Sequence, residues 1–337
     1  MKFIKGAIIN AFKISLLTFA VLSCATSSEA FRNIDYAVSQ ANFTTAIEAI
    51  IFAQGNRRPL YNQRNSISLF LDKGLLEHYA GNYAASSADL QNAERLIDEA
   101  HTKSITQGFL SFIVNDNTKD YPGEDFEDIY LNVFNALNYY NRGDTEGALV
   151  EIRKLTLSSG KLEMLAQRHE YVDPNTGESL GEMSYKETGI REMPETKAVN
   201  FSNSALARFL SAIFYQAERN HDSARIEFEQ IPRAFSANSS LYRFPIPEAV
   251  EEAQNVPADL ARLNIISFTG LSPVKEEQRI THFLPFRHPV LAVASFKLPV
   301  LTRRPSMITR VEVIVEKEDV LTGRFNLELI EDISAVI

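Results

Sequence analysis

The residues that most readily do chemistry are few and scattered. Six histidines occur in 337 residues without an HExxH sequence, and only His282 and His288 lie close together. Zinc sites draw several His or Cys ligands at defined spacings, so this pattern predicts no metal site. The sequence also lacks a Gly-x-Ser-x-Gly elbow, a Gly-Lys-Ser/Thr phosphate loop and a Gly-x-Gly-x-x-Gly fingerprint. We therefore expect no catalytic residues and no cofactor.

Two groupings need a separate interpretation. Gly270, Pro273 and Lys275 enclose Ser272 in a short segment with a distant similarity to Ser/Lys hydrolases, although serine and lysine are common in turns. Five carboxylates fall within 120–129, just before an apolar helical pattern. We interpret the first group as a loop. We interpret the second group as a helix start, because acids there offset the helix dipole.

The charge balance excludes one class of partner. The formal net charge is −9, and a nucleic-acid-binding surface needs clustered Lys and Arg. After the first thirteen residues the sequence has no such block, so we predict no nucleic-acid partner.

The N-terminus has the three zones of an export signal. Lys2, Lys5 and Lys13 precede the uncharged apolar run 14–23, which ends at Cys24. A spanning helix needs roughly 20 apolar residues, so this run is too short and the mature chain is predicted to have no transmembrane span. We assign 1–23 to an export signal peptide.

Val21-Leu22-Ser23-Cys24 resembles a bacterial lipobox, in which an aliphatic residue stands three before the cysteine. That resemblance implies that 1–23 is a lipoprotein signal peptide. It also implies a lipidated Cys24, a short tether over 24–32 and attachment to the membrane through the N-terminal lipid. By resemblance to enteric lipoproteins, Ala25 rather than Asp after the cysteine implies the periplasmic face of the outer membrane. The alternative is ordinary cleavage after Ala30, which would discard the only cysteine of the chain.

Residues 33–257 contain one pattern four times, with a loop insertion near 170–200. Each copy is a helix, a tight turn and a second helix, and the second helix carries a small residue with an apolar residue four positions later. The small residues are Ala46, Ser86, Ala148 and Ala224. The pattern resembles tetratricopeptide (TPR) repeats, with Gly74, Gly81 and Gly143 at the close-packing and turn positions. The 34-residue period is not kept, and a plain helical bundle is the alternative.

Stacked helix pairs commonly form a surface that holds a peptide or a partner helix. Tyr79, Tyr139 and Tyr140 are candidates for such a surface. Aromatic residues at helical spacing also occur in helical cores, and the sequence leaves both interpretations open.

After Pro257 the pattern changes to short runs of Val, Ile and Phe. We predict a β-rich module over 258–337, with its best strands at 263–268, 290–296 and 308–315. The predicted fold class is therefore α+β, a TPR-like helical body followed by a small, mostly β C-terminal module.

Several segments together resemble an uncharacterised family of TPR-like lipoproteins of Gram-negative and related bacteria. They are 126–140, 143–144, 148–153, 269–276 and 296–306. The family brings no established activity, cofactor or catalytic residue. The sequence 328–337 resembles the start of a helix that continues further in such proteins. The resemblance implies that this chain is C-terminally truncated at Ile337.

These observations predict a non-enzymatic, membrane-anchored envelope lipoprotein that binds an unidentified envelope protein. Some members of the resembled family are encoded beside activators of cell-wall synthases, so cell-wall growth and outer-membrane assembly are the candidate pathways. The alternative is a cell-wall-active hydrolase or a polysaccharide-binding protein that uses the C-terminal module.

Overall fold

The computed structural model describes residues 29–107, 121–156, 161, 201, 203–239, 241–257, 259–284, 292–304, 308–317 and 320–335. In this part the chain is mostly helical and carries antiparallel strands towards its C-terminus, as the sequence predicts. The helices are α1 (29–39), α2 (Phe43–Gln54), α3 (Ser66–Tyr79), α4 (Tyr83–Gln107), α5 (Asp125–Asn141), α6 (Thr145–Thr156), α7 (Ala205–Ala217), α8 (His221–Ala237) and α9 (Glu248–Gln254). Cys24 and the predicted insertion near 170–200 lie outside the described residues.

The described residues form two compact units. The first unit contains 29–107, 121–123 and 137–148. The second contains 124–136 and the described part of 149–335. The predicted boundaries at 33 and 257 do not coincide with these units, and they stay a prediction. Helix α1 already includes 29–32, which the sequence assigned to the tether.

The same turn joins the helices of four hairpins. In each turn one residue has a positive φ; these residues are Ala41, Gly81, Gly143 and Arg219. The N–H of the following Asn or Asp donates to the carbonyl five residues earlier at 2.8–2.9 Å, which is the Schellman ending of a helix. The predicted turn positions of Gly81 and Gly143 are confirmed. Glycine has no Cβ to oppose a positive φ, so Ala41 and Arg219 hold the same turn at a steric cost.

The residue after the positive-φ position also begins the next helix. The Oδ1 atoms of Asn42, Asp144 and Asn220 each accept the backbone N–H three residues ahead, at 3.2, 2.8 and 3.2 Å. Such N-caps satisfy a donor that the first turn leaves free. Asn82 differs, because its amide donates to the Glu77 carboxylate at 2.8 Å.

The small and apolar positions of the repeated pattern are buried. The small residues Ala46, Ser86, Ala148 and Ala224 are at most 2% exposed. Four positions later lie the buried residues Ile50, Leu90, Ile152 and Phe228. One face of the second helix in each hairpin therefore packs inward, as the 3.6-residue period requires.

Gly74 permits the close packing of α3 and α4. A Cβ at this residue would stand 2.8 Å from Cδ2 of Leu90, and the Ser86 hydroxyl donates to the Gly74 carbonyl at 2.7 Å. A larger residue at 74 would push the two helices apart.

The strands form two antiparallel pairs. β1 (Val274–Leu284) pairs with β2 (Ala292–Thr302), and β3 (Glu312–Lys317) pairs with β4 (Val320–Asn326) with a register shift after Val315. The predicted strands at 290–296 and 308–315 overlap β2 and β3. The sequence missed β1 because its many charged and polar residues do not read as a strand.

The predicted strand at 263–268 is wrong. This segment has no regular secondary structure and belongs to neither strand pair. Phe268 packs on α5 instead, since the Phe268 and Phe134 ring centroids lie 4.8 Å apart, whereas Leu263 and Ile265 are exposed. The Arg262 guanidinium likewise donates to the Ala249 carbonyl at 3.0 Å.

The implied helix start at 328–337 is also corrected. Residues 327–332 have no regular structure, and only a short 3₁₀ turn, Ile333–Ala335, follows. The Glu331 carboxylate in this segment is held by side chains from elsewhere in the second unit, which favours an irregular backbone here.

Candidate functional site

The predicted partner surface begins at the end of α3. Tyr79 is 41% exposed, and its ring stacks on that of Phe43 with 5.2 Å between centroids. Partial burial of the phenol raises the pKa of Tyr79 to about 12, so it stays neutral at physiological pH. Tyr79 therefore offers an apolar ring edge and an uncharged hydroxyl.

The two other predicted tyrosines lie in the last turn of α5. Tyr140 is 57% exposed. Tyr139 is more enclosed: its hydroxyl accepts from the Gln91 amide at 3.0 Å, and the Arg142 guanidinium lies 5.7 Å from its ring centroid. Tyr140 is thus a surface residue, whereas Tyr139 has both core and surface contacts.

A hydrogen bond brings these two helix ends together. His78 Nδ1 and Asn138 Oδ1 are 2.6 Å apart, and Tyr79 and Tyr139 are the next residues in their helices. The three tyrosines therefore lie at neighbouring helix ends of the first unit.

Beneath this surface, His, Asn and Ser side chains form a neutral network. The Asn138 amide donates to the Ser86 hydroxyl at 2.7 Å, and that hydroxyl donates to the Gly74 carbonyl at 2.7 Å. Burial lowers the pKa of His78. A neutral imidazole with its proton on Nδ1 satisfies the Asn138 carbonyl.

Ser, His and Asn are also the residue types of some nucleophilic sites, but their order here is unsuitable. A nucleophile needs its hydroxyl bonded directly to the base. Here Asn138 lies between Ser86 and His78, and the Ser86 proton is directed at a backbone carbonyl. Ser86 and Asn138 are fully buried. The network joins helices and does not activate a nucleophile.

The second unit contains a different cluster, around the Glu331 carboxylate. It accepts hydrogen bonds from the hydroxyls of Tyr130 at 2.7 Å, Tyr242 at 2.6 Å and Ser204 at 2.9 Å. The backbone N–H of Leu206 adds a fourth at 3.2 Å. Ser204 is the N-cap of α7, so the carboxylate also lies at the positive end of a helix dipole.

Desolvation dominates the electrostatics of this cluster. Burial raises the pKa of Glu331, although the four donors oppose the shift. Burial and the neighbouring carboxylate also raise the pKa of Tyr242. Every described donor on Glu331 is a hydroxyl or an N–H of a distant segment of the same unit. The cluster therefore holds the C-terminal segment in place.

A third cluster involves the acids that the sequence placed at the start of α5. Asp128 forms a 2.7 Å ion pair with Lys161, whose ammonium also donates to Asn132 at 2.6 Å. Asn132 in turn donates to Glu151 at 2.7 Å. The Glu124 N–H donates to the Glu127 carboxylate at 2.8 Å, so the predicted helix-start role of these acids holds for Glu127. The buried pair of Asp128 was missed because Lys161 lies 33 residues away.

The described residues include the backbone of the predicted C-terminal loop at 270–275. Gly270 has φ +88°, Pro273 is buried and Ser272 is exposed. Lys275 lies in β1 opposite Leu301, and its side chain is outside the described residues. Ser272 thus lies outside regular structure and Lys275 lies on a strand, and their interpretation as a pair stays a prediction.

The described residues contain neither a metal-binding cluster nor a membrane-spanning helix. That part of the chain has no group of three or more His, Cys, Asp or Glu side chains placed to hold a metal ion. None of its helices combines the length and the apolar character needed to cross a membrane.

No protein-family model, curated protein or solved structure matches this chain.

Proposed function

We propose that this protein is a membrane-anchored envelope lipoprotein, lipidated at Cys24, that binds another envelope protein through TPR-like helical hairpins. The repeated hairpin carries the proposal. Four hairpins share the Schellman ending and buried small residues at equivalent positions. Repeated helix pairs are a common architecture for holding peptides and partner helices.

The proposed contact surface is centred on Tyr79 and Tyr140. Half-exposed tyrosines are frequent at interfaces, because a ring supplies large apolar contact with few rotatable bonds and the hydroxyl adds a hydrogen bond. Both side chains are more than 40% exposed, and the neutral network beneath them fixes the helix ends that carry them.

A binding role rather than catalysis is supported by the buried polar groups. His78, Ser86 and Glu331 are each engaged in hydrogen bonds that stabilise the fold. The resemblance to lipoproteins with Ala after the lipidated cysteine supports the periplasmic face of the outer membrane as the location. Cell-wall growth and outer-membrane assembly are the proposed pathways.

Site-specific crosslinking in cells tests the proposal. A photoreactive amino acid replaces Tyr140 in the full chain, and the same amino acid at Ile226, which is 46% exposed on α8, is the matched control. We expect one envelope protein to crosslink at 140 in near-equal amount and not at 226. The same set of proteins at both positions, or none at 140, contradicts the proposed surface.

Palmitate labelling tests the anchor separately. The wild-type chain should incorporate labelled palmitate, and the Cys24→Ala variant should not. A labelled variant would show that the lipid is attached elsewhere.

A further inference from the structure

The open end of the first hairpin carries exposed apolar side chains. α1 and α2 run in opposite directions around a shared core that includes Ile34, Ala37 and Ile50. The first residues of α1 and the last turn of α2 therefore lie at the same end. Here Phe31, Ile51 and Phe52 are 42%, 56% and 77% exposed.

The following loop folds against this end and adds basic residues to it. The Gln54 side chain bonds the backbone N–H and C=O of Tyr61 at 2.7 and 3.1 Å. The Phe31 ring meets the Tyr61 ring edge-on at 5.8 Å. Arg57 and Arg58, both exposed, lie in the loop between Gln54 and Tyr61 and therefore at this end of the hairpin.

The loop at this end is basic although the whole chain has net charge −9. Loop 55–65 contains three arginines and no acid, whereas the helices around it carry acids, among them Asp35 and Asp72 beside Tyr61. Exposed apolar and aromatic residues beside Arg are the composition that partitions into a phospholipid headgroup region.

The distance to the proposed lipid anchor is short. Glu29, the first described residue of α1, is five residues after Cys24. Even a fully extended chain spans at most about 18 Å over that length. An anchored Cys24 therefore keeps the open end of the hairpin near the bilayer, however the intervening residues run.

We infer that Phe31, Ile51, Phe52, Arg32 and Arg57 form a membrane-contact surface that docks the first hairpin on anionic phospholipid headgroups. The inference rests on the proposed lipidation of Cys24, which supplies the proximity. The apolar side chains enter the headgroup boundary, and the guanidinium groups pair with lipid phosphates.

Tryptophan fluorescence tests this docking directly, because the chain contains no tryptophan. Phe52→Trp is introduced into the full lipidated chain and reconstituted in phosphatidylglycerol–phosphatidylethanolamine vesicles. The matched control is Tyr140→Trp, at an exposed residue beside the hairpin turns. We expect a shift to shorter wavelength and quenching by brominated acyl chains for Trp at 52, and neither change for Trp at 140.

A charge variant separates electrostatic docking from simple proximity. Adding Arg57→Gln to Phe52→Trp removes one cationic contact. We expect about fivefold fewer bilayer-contacting molecules on the anionic vesicles, and no change on phosphatidylcholine vesicles. An unchanged signal on the anionic vesicles after Arg57→Gln overturns the role of Arg57.

The outcomes for the surface and for the anchor are distinguishable by the mass of the acylated N-terminus. A lipidated chain whose Trp at 52 remains in water overturns the surface and leaves the anchor. A chain without lipid whose Trp at 52 is still quenched by added vesicles overturns the anchor and leaves the surface. Shielding at 52 without bromolipid quenching indicates a protein contact and also overturns the inference.

Discussion

The two units hold distant segments together with buried networks of opposite character. In the first unit, His78 and Asn138 join residues 60 positions apart through neutral groups. In the second unit, the Glu331 carboxylate accepts hydrogen bonds from Tyr130, which is 201 positions away in the sequence, and from Ser204, which is 127 positions away.

The difference shows what burial demands of each kind of group. Neutral amide, hydroxyl and imidazole groups are buried at modest cost once each is paired. A carboxylate loses much more hydration, and Glu331 accordingly has four donors. The charged network is therefore expected to be the more sensitive to the loss of one member.

The largest expected effect is that of Glu331→Ala. It removes the acceptor of three hydroxyls and one N–H, so the free energy of unfolding should fall by about 3 kcal/mol. Urea denaturation measures the change. The control is Glu328→Ala, which removes an exposed carboxylate that accepts only one described hydrogen bond, from the Ala249 N–H at 2.9 Å, and should cost less than about 1 kcal/mol. Equal losses would contradict the role given to the Glu331 cluster.

Next in size is the effect of Gly74→Ala, which tests the packing above the neutral network. The new Cβ would meet Leu90 at 2.8 Å, so we expect a loss of about 2 kcal/mol. The matched control is Gly55→Ala, where the nearest atom is 3.5 Å away and the stability should change by less than about 0.5 kcal/mol. If Gly74→Ala proves as harmless as its control, the helices are less tightly packed than described.

A smaller effect, with opposite signs in the two networks, is expected from pH. The pKa of His78 is below its ordinary 6.5 in the folded chain, so its contribution to stability is complete above pH 6.5 and is lost as the pH falls. The pKa of Glu331 is above its ordinary 4.5, so its contribution is complete below pH 4.5 and is lost as the pH rises.

Denaturation of His78→Gln and Glu331→Gln across this pH range separates the two contributions. Relative to wild type, His78→Gln should lose less stability on acidification, and Glu331→Gln should lose less on a rise in pH. Parallel curves for both variants and wild type would exclude these groups as the titrating ones.

The smallest expected effect on stability is that of Tyr140→Ala. Tyr140 is 57% exposed, so its substitution should change the free energy of unfolding by less than about 0.5 kcal/mol. Circular dichroism on heating provides the measurement. A loss above about 1 kcal/mol would place Tyr140 in the core rather than on a binding surface.

Much of the helical part follows from local sequence. The spacing of small and apolar residues after each turn predicts which face is buried, and Gly81 and Gly143 predict the turns, because glycine adopts a positive φ without strain. The equivalent turn residues Ala41 and Arg219 carry no such signal.

The C-terminal part follows much less from sequence. The apolar segment 263–268 reads as a strand but belongs to neither strand pair, whereas β1, with its charged residues, is a strand. Strand pairing depends on the neighbour across the sheet more than on intrinsic preference, and a single sequence does not name that neighbour.

The sequence by itself determined the helical hairpins, because their signals lie within a few residues of one another and act through the backbone. Only the tertiary structure decided which polar residues are buried together. Glu331, Tyr130 and Ser204 are ordinary surface residue types, and their function as one cluster depends on contacts between segments 127 to 201 residues apart. Local spacing cannot encode such contacts, since they form only when the whole unit excludes water around a shared carboxylate.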